Sequence, residues 1–103
     1  MQQIQLCPKF ETAFEILGRR WTGLIINVLL DSPKRFKDIS EYIPNMSDKM
    51  LVDRLKQLEA SGIIVRKVFP DTPVRIEYQL TEKGKALEPV MTAIQSWAED
   101  WVQ

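Results

Sequence analysis

The chain has 103 residues, 45% of them hydrophobic, which is enough for one compact domain and too few for two. Fourteen Lys and Arg balance fourteen Asp and Glu, so the net charge is zero and bulk charge gives no support for a polyanionic partner. One cysteine and no histidine exclude an internal disulfide, a zinc site of the usual ligands and the commonest general base, so neither metal nor cofactor is expected.

Pro8 suits the first position of a helix and would place Cys7 at the N-cap. Phe10, Ala13, Phe14 and Leu17 follow at helical spacing, and Gly18 closes this first helix. Trp21, Leu24, Ile25, Val28 and Leu29 keep the same period in a second helix that ends near Asp31-Ser32-Pro33. Phe36, Ile39 and Ile43 mark a short third helix closed by Pro44. Ser47 opens a fourth, because its hydroxyl can accept from a free backbone N–H. Leu51, Leu55 and Leu58 give that helix one apolar stripe, and Gly62 stops it. Ile63 to Phe69 and Arg75 to Leu80 read as two strands around the turn Pro70-Asp71-Thr72-Pro73. Thr81 caps a last helix carrying Leu87, Val90, Met91, Ile94, Trp97 and Trp101.

The order predicts a mainly α fold with a small β-hairpin (α+β), a winged helix-turn-helix. The expected arrangement is a single domain over 1–103, with a DNA-binding core at about 20–83 and dimerisation helices at about 8–18 and 82–102. The first ten residues lack the apolar stretch of a secretory signal, and no apolar run reaches the ~18 residues that span a bilayer. A cytoplasmic protein with no membrane partner is expected.

Charge is unevenly spread. Residues 34–85 carry eleven basic and eight acidic side chains, whereas residues 86–103 carry three acidic and none basic. The helix from Ser47 to Ser61 is the recognition candidate. Asp48, Lys49, Met50, Asp53, Arg54, Lys56 and Gln57 fall beside or opposite its apolar stripe. Lys49 is placed to reach a guanine or a phosphate, and Arg54 to clamp a phosphate. An ordinary solvated face explains the same pattern. Arg66, Lys67 and Arg75 flank the hairpin turn, where an arginine suits a narrow minor groove and charge also protects an edge strand. Lys34, Arg35 and Lys37 are further phosphate candidates, and solubility explains them as well.

Trp97 and Trp101 lie four apart on a stripe too long for a hairpin to cover, which points to an interface with a second copy or to packing on the first helix. Cys7 is the one residue with reactive chemistry. A helix start favours the thiolate, and Lys9 is close in sequence. An inert, half-buried cysteine is the plainer reading.

These segments together resemble one family. "CPKFETAFEILGRRWTGLII", "PKRFKDI", "IPNMSDKMLVDRLKQLEASGII" and "PDTPVRIEYQLTEKG" are similar, in order, to HxlR-type regulators, which are related to MarR regulators. The likeness runs from Cys7 to Trp101 and is greatest to the YodB-like subgroup of quinone- and electrophile-sensing repressors. It implies a homodimer on a palindromic double-stranded DNA operator, and no enzymatic activity. Cys7 takes the sensor position. Ser47, Lys49, Met50 and Arg54 take the DNA-contact positions of the recognition helix, with Gln57 and Lys37 beside them and Arg75 on the wing. Phe10, Phe14, Leu17, Leu87, Val90, Met91, Ile94, Trp97 and Trp101 fall on the dimer helices. Some subgroup members pair the sensor cysteine with another near the C-terminus. This chain has no second cysteine, which leaves an adduct, a mixed disulfide with a small thiol, or a Cys7–Cys7 link between subunits. The alternatives are a regulator that senses a non-covalent ligand and a dimeric interaction module without sensing.

Overall fold

In the computed structural model, which describes residues 4–103, helix α1 (Pro8–Leu17) starts on its proline with Cys7 as N-cap. Residues 1–3 of the expected domain lie outside the described residues. The N–H of Gly18 closes α1 on the Phe14 carbonyl. Helix α2 (Thr22–Asp31) follows, and its N-cap is Trp21, held left-handed at φ 77°. Trp21 was expected inside this helix; it sits before it, as the turn residue that redirects the chain.

Helix α3 (Phe36–Tyr42) begins with the Asp38 carboxylate accepting from the Arg35 N–H at 3.1 Å. Helix α4 (Asp48–Ala60) starts as expected, with Ser47 Oγ accepting from the Met50 N–H at 3.1 Å. Gly62 then takes a φ of 74°, which a side chain would resist, and the chain leaves the helix. Strands β1 (Ile64–Phe69) and β2 (Arg75–Leu80) pair antiparallel, from Ile64 opposite Leu80 to Phe69 opposite Arg75.

The last helix was expected to run unbroken over 82–102. It is two helices, α5 (Glu82–Lys85) and α6 (Glu88–Trp101). Pro89 is the reason: it lacks an N–H, and its ring crowds the carbonyl four residues back, at Lys85. Thr81 still caps the first piece, accepting from the Gly84 N–H at 3.2 Å.

The core lies between α2, α3, α4 and the hairpin. Ile25, Ile26, Leu29, Ile39, Leu51, Leu55, Leu58, Ile63, Ile64 and Leu80 are buried in it. Each fully buried aliphatic side chain contributes about 2 kcal/mol by leaving water. Lys34 joins the sheet: its N–H donates to the Tyr78 carbonyl at 3.0 Å, and its carbonyl accepts from the Tyr78 N–H at 2.7 Å. The side chain is buried, and its ammonium reaches Asp31 at 2.8 Å. Hydrogen bonds from Lys34 and Ser32 hold the Asp31 carboxyl below its ordinary pKa. Lys34 is thus a structural lysine and not the phosphate contact that its place beside Arg35 suggested.

α1 buries none of its residues, and α6 buries Met91 alone. The chain is correspondingly drawn out, 65 × 31 × 24 Å, with a radius of gyration of 15.7 Å. A compact chain of this length would measure about 13 Å.

Gly84 packs where the start of β1 meets α5. A Cβ there would collide with the Ile63 carbonyl oxygen and lie 2.9 Å from Leu80 Cδ2. Gly84→Ala is expected to destabilise the fold by about 1–3 kcal/mol, despite alanine's better helix propensity. A denaturant midpoint at or above that of the unaltered protein would contradict this packing.

Candidate nucleic-acid interface and thiol site

α3 and α4 form the helix-turn-helix pair, joined by residues 43–47. The inner side of α4 is fixed by Leu51, Leu55 and Leu58, of which none is more than 2% exposed. Lys49 and Lys56 therefore face outward and are exposed. Neither they nor Lys37, exposed on α3, is paired with a carboxylate among the described residues. Ser47 is exposed too; its oxygen serves the cap and its own proton is left to donate. Asp48, which would repel a phosphate, accepts from Ser40 Oγ at 3.0 Å.

Three expected DNA contacts on α4 are partly covered by the protein itself. The Arg54 side chain is only 12% exposed. Its Nε donates to the Arg20 carbonyl at 2.8 Å and its Nη1 to Asp53 at 2.6 Å. Its guanidinium is engaged by the protein, and does not project freely as expected of a phosphate clamp. Gln57 is half-buried, donates to Asp53 at 3.1 Å and faces the end of α1. Met50 is half-buried against the core. All three lie on one flank of α4, the one covered by its neighbours.

On the hairpin, Arg75 sits beside the turn and stacks on Phe69, with Cζ 4.2 Å from the ring centre. Asp71 at 3.6 Å and Glu77 at 3.5 Å share its charge. To enter a minor groove Arg75 must leave these carboxylates. Arg66 and Lys67 are exposed on β1.

Cys7 is exposed and caps α1 without a side-chain hydrogen bond; its carbonyl accepts from the Glu11 N–H at 3.2 Å. Directly after it come Phe10 and Phe14, 65% and 59% exposed, with ring centres 5.0 Å apart. On α6, Val90, Ile94, Trp97 and Trp101 are exposed as well, Trp101 to 74%. Leu17 and Leu87 are half-buried on the core. Met91, expected at the dimer interface, is 7% exposed within its own chain and belongs to the core. A cleft of about 670 Å³ runs between α1, α2 and α6, lined by Phe10, Phe14, Trp21, Leu24, Val90 and Ile94 among others. The sequence reading missed Leu24 as a surface residue. It belongs to the apolar stripe of α2, but α1 and α6 do not close over it.

On a duplex that the protein selects from a random-sequence pool, Lys49→Ala is expected to weaken binding. If Lys49 reads a base, selectivity relaxes at one position by about 1–3 kcal/mol; if it holds a phosphate, the salt slope falls by about one unit on every sequence. Unchanged affinity and slope in both Lys49→Ala and Arg75→Ala would put the DNA surface elsewhere.

A family model described as HxlR-like helix-turn-helix matches residues 16–103. The HTH-type transcriptional regulator YodB of Bacillus subtilis (strain 168) is 55% identical over 98 residues, 95% of this chain and 88% of that protein. The reduced form of YodB superposes with a TM-score of 0.87 at 55% identity, covering 96% of this chain and 97% of that one. The quinone-bound form gives 0.82 at 52% identity, covering 93% and 100%. The redox regulator HypR in its oxidized form gives 0.87 at 34% identity, covering 94% and 99%. YodB is a regulator of transcription, a DNA-binding role that needs no catalysis. The chain belongs to the HxlR-like helix-turn-helix family and is a transcriptional regulator homologous to YodB and HypR.

Proposed function

We propose that this regulator is a homodimeric repressor that holds a palindromic operator and leaves it when Cys7 is modified by a quinone, another electrophile or an oxidant. One observation carries the reading: an exposed thiol stands at the start of α1, immediately ahead of the uncovered rings of Phe10 and Phe14. Those rings and the exposed face of α6 make an apolar surface suited to a second copy of the chain. The quinone-bound state of YodB and the oxidized state of HypR support the chemistry by homology.

The chemistry needs one sulfur. With a quinone, the Cys7 thiolate adds to a ring C=C and the displaced electron pair passes to a carbonyl oxygen. The attacked carbon then gives up its proton to restore the aromatic ring, and that proton with one from solvent completes the two hydroxyls of a hydroquinone thioether. With diamide, two thiols lose two electrons and two protons, and the diamide becomes a hydrazine. The second thiol is a small cellular thiol or the partner subunit's Cys7. Either product adds bulk or a cross-link beside α1. In the dimer α1 and α6 set the separation of the two α4 helices, which must meet half-sites one or two helical turns apart, about 34 Å per turn. A 100-fold loss of operator affinity needs only about 2.7 kcal/mol in favour of the non-binding arrangement.

Lys49, Ser47 and Lys37 face the DNA in this reading, with Arg75 in the minor groove. No described helix is long and apolar enough to cross a membrane, and a regulator of this kind works in the cytoplasm. The cleft between α1, α2 and α6 favours one second reading, a non-covalent ligand seated there.

Two outcomes are expected. Trp97→Ala should weaken the dimer by about 2 kcal/mol or more, as an interface tryptophan does; a monomer mass at all concentrations of the unaltered protein would end the dimer reading. Cys7→Ser should bind the selected duplex normally and fail to release it on treatment with a quinone or diamide. Release equal to that of the unaltered protein would transfer sensing to the cleft.

A further inference from the structure

The turn between α1 and α2 is a joint. Since α1 buries no residue, its direction relative to the core depends on residues 18–21 and on its contacts with α2. Trp21 is held left-handed, at φ 77° and ψ −21°. That conformation costs a bulky residue about 1–2 kcal/mol, so its surroundings must enforce it. The Arg20 guanidinium covers the Trp21 ring, with Cζ 4.3 Å from its centre.

The recognition helix reaches into this joint. Arg54 Nε donates to the Arg20 carbonyl at 2.8 Å, the one side-chain hydrogen bond from α4 to the turn among the described residues. Asp53 fixes the guanidinium at 2.6 Å and accepts from Gln57 at 3.1 Å. Beside this network a cleft of about 260 Å³ is lined by polar residues, Thr22 and Gln57 among them, and by the apolar Ile16, Leu58 and Ala60. The Thr22 hydroxyl, 1% exposed, and the Gln57 carbonyl have no protein partner there. The junction of α1, α2 and α4 therefore mixes apolar packing with polar groups that the protein does not satisfy.

We propose that Arg54 is a positioning residue that ties the recognition helix to the α1–α2 joint, so that displacement of α1 is passed to α4. Its effect on DNA runs through the Arg20 backbone and not through a phosphate. The coupling rests on the thiol-switch reading; the tie itself does not.

Two substitutions separate the tie from a phosphate contact. Arg54→Gln loses the charge but puts an N–H donor at the same reach as Nε. Arg54→Lys keeps the charge but puts a methylene there. The measurements are hydrogen exchange at the Thr22 and Ile25 amides, and the salt slope of binding to the selected duplex, before and after diamide. For the tie, Arg54→Gln behaves like the unaltered protein. Arg54→Lys exchanges these amides about tenfold faster or more, as expected for loss of the hydrogen bond to the Arg20 carbonyl, with its salt slope unchanged. Its loss of affinity on diamide treatment also shrinks. The opposite pattern overturns the proposal: Arg54→Lys like the unaltered protein, and Arg54→Gln lower in salt slope by about one unit. Two variants both indistinguishable from the unaltered protein overturn it as well. If the unaltered protein ignores diamide, the thiol switch and the coupling fall together, while exchange and salt slope still decide whether Arg54 is the tie.

Discussion

Three leucines set which face of the recognition helix is open to a ligand. Leu51, Leu55 and Leu58 are sealed in the core, and an α-helix turned about 100° per residue leaves no freedom once they are placed. Lys49 and Lys56 then lie nearly opposite the stripe and meet solvent. Arg54 lies only about 60° from it. On one flank the helix is roofed by the α1–α2 turn, and there a long side chain finds protein before it finds a ligand. The same constraint that presents Lys49 withdraws Arg54.

A second constraint fixes the wing. Lys34 lends its backbone to β2 through two hydrogen bonds with Tyr78, so the hairpin is joined to the segment before α3 as well as to the end of α4. The side chain must follow its backbone inward, where a lysine is tolerated because Asp31 and Ser32 receive its ammonium. The backbone pair, with the ammonium so received, joins the hairpin to the start of the helix-turn-helix pair.

Most elements were readable in the sequence because each carries its own punctuation: Pro8 and Cys7 for α1, Ser47 and Gly62 for α4, Pro70 to Pro73 for the hairpin turn. The errors have separate causes. Pro89 interrupts a helix whose apolar period continues through it, and periodicity does not register the missing N–H. Trp21 adopts a conformation usually left to glycine, while nearby Gly18 is right-handed, so no residue preference marks the joint. The partner of Arg54 is a backbone carbonyl 34 residues away, which has no sequence signature at all. Met91 shares its stripe with Trp97, and only the packing of α6 on α2 divides inward from outward. For the site, the outward face of α4 followed from local rules; which flank is covered, and that Cys7 is exposed and not half-buried, depended on tertiary contacts.

Every charged side chain on α6 is acidic, namely Glu88, Glu99 and Asp100, whereas the segment holding the helix-turn-helix pair and the wing has a basic surplus. The same helix exposes Val90, Ile94, Trp97 and Trp101. A polyanion is repelled by such an acidic surface, so the rings and branched side chains of α6 are kept for apolar contact and away from phosphate.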